Sequence, residues 1–174
     1  MSKRLVDDAV WIPGRRQHFF NEYGDAENSE CEACDRVAAQ NDVTEQVLYR
    51  GKHCYVIHSP TPYTVGHFLI IPNRHVCSIR ELLDRESLDI MQTQQMCMEV
   101  LDAVIRPNGY DTGTSAGKVE HGTASRHLVF HVVPRRMGDK NLMLTIRTRR
   151  ELQMLQRNAH QAFRREFEER VFVE

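Results

Sequence analysis

The chain has 174 residues, a formal net charge of −1, and 41% hydrophobic and 27% charged residues. That length supports one domain with a buried core, and the composition is ordinary for a globular protein. A charge this close to zero excludes a global field drawing the chain to nucleic acid or a membrane surface.

Small basic clusters at Arg147, Arg149, Arg150 and at Arg164, Arg165 are broken up by acids and read as solvated helix faces. No window holds the roughly 18 apolar residues of a spanning helix. Met1 to Val10 is charged and lacks an apolar signal core, so the reducing cytoplasm is the expected compartment for its five cysteines. Cys54, Cys77 and Cys97 have apolar neighbours and are expected to be buried thiols.

In chain order, residues 1–30 read as an arm carrying a few apolar anchors, Trp11-Ile12-Pro13 and Phe19-Phe20. Residues 31–137 read as the core of a single domain, and 138–174 as a C-terminal extension. Val47-Leu48-Tyr49 and Cys54-Tyr55-Val56-Ile57 flank Arg50-Gly51-Lys52, which predicts a hairpin. Gly66 to Pro72 predicts a short buried strand. Apolar residues from Leu83 to Ile105 recur at three- and four-residue steps, predicting a long helix with Asp84 as N-cap and Arg106-Pro107-Asn108-Gly109 as its end. Thr148-Arg149-Arg150-Glu151 has capping-box spacing, and Leu152, Leu155, Ala159, Phe163 and Phe167 mark one face of a C-terminal helix. The expected fold class is α+β: an antiparallel sheet of about five strands, one long helix and a C-terminal helix.

The informative segment is His127-Leu128-Val129-Phe130-His131-Val132-Val133-Pro134. Along a strand, His127, Val129 and His131 share one face, and the apolar Leu128, Phe130 and Val132 share the other. Two imidazoles then flank a valine on that face, each about 7 Å from it. Cys31-Glu32-Ala33-Cys34 is a modest zinc signal alone, open between a metal site and two reduced thiols.

Further motifs occur in order: Trp11-Ile12-Pro13-Gly14-Arg15, the Cys pair, Pro62-Tyr63-Thr64-Val65-Gly66-His67 through His75, and His131 to Arg135 followed by Gly138-Asp139-Lys140-Asn141. Over residues 11–165 the chain resembles the histidine-triad family, in particular its prokaryotic dinucleoside-tetraphosphate phosphorylase and hydrolase-like branch. In that family the middle histidine of a His-φ-His-φ-His strand attacks an α-phosphate. Carried over, His127 is first, His131 third, and the nucleophile position is Val129.

An isopropyl group has no lone pair and cannot form a phosphoramidate. The resemblance therefore implies a protein that binds a purine nucleotide or another phosphate-bearing molecule but is catalytically impaired. An active hydrolase or phosphorylase, and a dimeric scaffold with a vestigial pocket, are the alternatives. Ser59 and, in the loop Gly113-Thr114-Ser115-Ala116-Gly117 before the triad strand, Ser115 stand where the family has asparagines, and Thr123 or Ser125 where it has a phosphate-supporting polar residue. His131 is expected either to contact phosphate or to bond backbone; His121 is the candidate for rescue of the missing nucleophile, and His67 is expected to be structural beneath the sheet edge. The resemblance also implies a structural Zn²⁺ held by Cys31, Cys34, His75 and His127, and a homodimer built on the helix of residues 84–105 and adjacent strands.

Overall fold

The computed structural model describes residues 31–39, 42, 46–115, 127–137 and 149–171; the side chains of Ser115, of residues 149–153 and of Val171 are outside the description. The strands β1 (Val47–Arg50), β2 (Cys54–His58), β3 (Phe68–Pro72), β4 (Gly109–Ser115) and β5 (Val129–Arg135) form one antiparallel sheet in the order β1-β2-β3-β5-β4. Helices α1 (Glu32–Ala39), α2 (Asp84–Val104) and α3 (Arg149–Val171) complete the α+β fold. No helix among the described residues is long and apolar enough to cross a membrane.

Strand alternation divides the interior in two. Val56, Phe68, Ile70 and Val132 meet Ile90, Cys97, Val100 and Leu101 of α2 and Phe163 and Phe167 of α3 in the larger core. Tyr55, Ile57, Leu69, Ile71 and Val129 face the other way, against Ala33 of α1. The apolar side of the β5 segment is in the core as expected, with Leu128 and Val132 fully buried. At Gly66, where φ is +84°, a Cβ would lie 2.6 Å from Leu101 Cδ2, so the turn into β3 accepts only glycine.

Three expectations need correction, and one element has no counterpart among them. Asp84 is the first residue of α2, not its cap; Leu83 precedes it, and the Glu86 carboxylate reaches back to accept the Leu83 amide at 2.9 Å. An apolar Leu83 side chain cannot cap, so the third residue of the helix does the work. Residues Gly113 to Ser115 belong to β4 rather than to a loop, because pairing with β5 satisfies a backbone whose composition carries little strand preference. Cys77 is half-exposed rather than buried, with Sγ 3.7 Å from His75 Nε2. The α1 helix was not anticipated, since its eight residues are too few to show a period. The N-terminal arm and the Thr148 cap lie outside the described residues.

Candidate functional site

Cys31 sits immediately before α1 and Cys34 in its first turn, so the helix start presents both thiols together. His75 follows β3 and His127 precedes β5; the Leu128 amide donates to the Val76 carbonyl at 2.7 Å and holds these two segments side by side. The four ligand atoms lie within 4.8 Å of one another. Cys31 Sγ is 3.4 Å from His127 Nδ1, Cys34 Sγ is 3.4 Å from His75 Nδ1, and Cys34 Sγ is 3.8 Å from His127 Nδ1. A tetrahedral zinc with ordinary Zn–S and Zn–N bonds has S···N edges of about 3.6 Å. The residues present fit that ion.

The imidazole of His127 is prepared for the same task. Its Nε2 lies 2.9 Å from the Pro72 carbonyl, which can only accept, so Nε2 carries the proton and Nδ1 offers its lone pair to the thiols. Burial, partly offset by that bond and reinforced by His75, holds its pKa down to about 4, so the ring is neutral at physiological pH. Burial, then the hydrogen bond and charge of Cys31, push the Cys34 thiol up to about 11. A divalent cation reverses that balance by binding the thiolates.

Val129 is 7% exposed and packs with Tyr55, Ile57, Leu69 and Ile71. Its register partner is Ser115, the last residue of β4, and the partner of His131 is Leu69. His131 Nδ1 lies 3.0 Å from His67 Nε2. His67 is not beneath a sheet edge. It is buried between His131 and Tyr63, whose ring stacks on it at 5.0 Å.

The Tyr63 amide donates to His67 Nδ1 at 3.2 Å. In neutral His67 the proton is therefore on Nε2, which donates to His131 Nδ1, and the proton of His131 is on its own Nε2. His131 lines a cavity of about 160 Å³ together with Tyr63, Asp111, Thr112, Gly113, Thr114 and Val133. Sequence reasoning missed this relay, although His67 two residues before Leu69 in the neighbouring strand was a usable signal.

Ser59 is buried, accepting from the Thr61 amide at 3.3 Å while its own amide donates to the His67 carbonyl at 2.9 Å. It lines a different cavity from His131. His121, Thr123 and Ser125 lie outside the described residues, as does the side chain of Ser115.

Comparison with known proteins agrees with this geometry. The HIT-domain family profile matches residues 40–138, more than half of the chain. An AP-4-A phosphorylase of Mycobacterium tuberculosis is 37% identical over 100 residues, which is 58% of this chain and 51% of that protein. An asymmetrical bis(5'-nucleosyl)-tetraphosphatase of Schizosaccharomyces pombe is 29% identical over 97 residues, 56% of this chain and 53% of that protein. The chain thus spans about half the length of these curated relatives. Among solved structures, a Zn-bound histidine triad family protein from Mycobacterium smegmatis superposes with a TM-score of 0.64 at 21% identity, over 83% of this chain and 98% of that one. This last likeness is one of fold.

Proposed function

Because the chain belongs to the HIT-domain family, we propose that it is a nucleotide-binding member that no longer forms a covalent histidine intermediate. The observation that carries this reading is Val129, buried in an apolar cluster midway between His127 and His131. Loss of a nucleophile from a covalent enzyme costs on the order of 10⁴–10⁶ in rate. His131 does not compensate. Its neutral tautomer places a proton, not a lone pair, on Nε2, so it serves as a hydrogen-bond donor to a phosphate oxygen. The opposite tautomer would set a His67 Nδ1 proton against the Tyr63 amide proton.

Cys31, Cys34, His75 and His127 would hold zinc as a closed four-ligand site, with the zinc supplying structural cross-linking and no open position. The spacing of their ligand atoms and the Zn-bound Mycobacterium smegmatis protein support this reading. It accounts for a first histidine retained where the second is valine, because His127 has a folding role of its own. Ser59, Ser115, Thr123, Ser125 and His131 are the proposed ligand contacts, and a purine nucleotide or another phosphate-bearing molecule is the proposed ligand. A homodimer fits the exposed Leu88 and Met91 on α2 and the position of β4 at the sheet edge.

A second reading, an active phosphorylase or hydrolase of dinucleoside polyphosphates, is favoured by the relatives at 37% and 29% identity. The test is equilibrium AMP binding alongside turnover of diadenosine tetraphosphate, with and without inorganic phosphate. AMP bound with no enzyme-like turnover is the expected result. Turnover at an enzyme-like rate would overturn the proposal in favour of the second reading.

A further inference from the structure

At the C-terminal end of β2, between α1 and α3, lies a cavity of about 630 Å³. One face of α3 supplies Arg157, His160 and Arg164, at steps of three and four residues. The end of β2 supplies His58 and α1 supplies Arg36, and no carboxylate is among the lining residues. Arg36 and Arg164 are held by Glu32 at 2.6 Å and Glu168 at 3.0 Å, neither of which lines the cavity. Arg157 makes no hydrogen bond or ion pair among the described residues.

The second observation is independent of charge. Both ring nitrogens of His58 are buried without a hydrogen-bond partner, within a ring enclosed by Phe68 at 5.4 Å, His160 at 5.4 Å and Phe163 at 5.5 Å. A buried polar ring is ordinarily satisfied, and one that is not calls for an explanation. Burial, with the charge of His160 adding to it, holds His58 down to about 3, so the ring is a neutral donor and acceptor at physiological pH.

We propose that this cavity is an anion site for oligophosphate, a chain of two or more phosphate groups, with Arg157 and Arg164 as its charged forks and His58 and His160 as its ring donors. Planar guanidinium groups match phosphate oxygens in pairs, and the volume suits something larger than a single ion. Ile57, at the cavity wall, is opposite Leu69, which is opposite His131. Two strand spacings, about 10 Å, therefore separate the backbone of Ile57 at the cavity wall from that of His131. The inference deepens the reading of a phosphate-bearing ligand and rests on that reading for the natural ligand, while the site rests on residues outside the triad strand.

The experiment is calorimetric titration of the full chain with inorganic triphosphate, which has no nucleoside, and with sulfate as a control. One equivalent of saturable triphosphate binding is expected, weakened about tenfold or more by Arg157→Ala and by Arg164→Ala, and unchanged by Asp102→Ala, which lines neither cavity. The ¹⁵N resonances of the His58 and His160 rings should shift on titration, a readout that does not depend on any variant. Absence of saturable binding overturns the inference. So does binding that Arg157→Ala leaves intact while His131→Ala abolishes it. Triphosphate binding without AMP binding would support this site and contradict the nucleotide reading, which keeps the two failures distinct.

Discussion

Replacing Cys34 by serine removes a ligand from the four-residue cluster, and the consequence can be sized from the chain it closes. Cys34 and His75 are 41 residues apart in sequence, with their ligand atoms 3.4 Å apart. On a chain-entropy account, a cross-link closing a loop of that length removes about 4 kcal/mol from the unfolded state. At about 2–4 °C per kcal/mol for a protein of this size, Cys34→Ser should lower Tm by about 8–16 °C. The assay is thermal unfolding by circular dichroism with matched zinc analysis by elemental spectrometry. Wild type should hold one equivalent of zinc and lose the same increment in Tm with a strong chelator; Cys34→Ser should hold none and ignore the chelator. A metal-free wild type of unchanged Tm, or a variant that melts with wild type while zinc is present, would refute the cross-link.

Glu86 is held down to about 2, first by the Arg74 hydrogen bonds at 2.9 and 2.7 Å and then, against the opposing effect of burial, by the Leu83 amide. Its depressed folded-state pKa adds stability above about pH 4.5 that is lost as pH falls toward 2, so Glu86→Gln should cost about 1–2 kcal/mol at pH 7, discounted for the half-exposed Arg74, and nearly nothing at pH 2. Urea titrations at both pH values check this, and an equal cost at both would contradict it. Phe163 is fully buried with its ring edge-on to Phe68 at 5.1 Å, so Phe163→Ala should cost about 3–5 kcal/mol in the same assay. A cost below about 1 kcal/mol would mean that α3 is not docked on the sheet as described.

The sequence was most readable where periodicity and turn chemistry agreed. Leu83 to Ile105 announced α2, and Gly51 between two apolar runs announced the first hairpin. β4 was hidden because Gly109, Asp111, Gly113 and Ser115 read as turn residues and mask the alternation of Tyr110, Thr112 and Thr114; pairing with β5 makes it a strand. The metal ligands were separable into thiols and imidazoles by motif resemblance, but the Pro72 carbonyl that fixes the tautomer of His127 is a backbone group and leaves no mark in the sequence. His67 was misread for a related reason. Its role comes from a diagonal contact with His131 and from the Tyr63 amide, both set by strand register and turn shape.

The same register isolates the central claim at one position. Val129, the position that the family resemblance gives to the nucleophile, pairs with Ser115, and the histidines on either side of it are engaged with the thiol cluster and with His67. The most direct measurement is release of AMP, ADP and ATP from diadenosine polyphosphates, with and without phosphate, by the protein and by Val129→His. The account predicts no enzyme-like turnover from the protein itself and a gain of on the order of 10⁴ or more in Val129→His. Turnover by the unaltered protein at an enzyme-like rate would contradict it and assign the attack to another group.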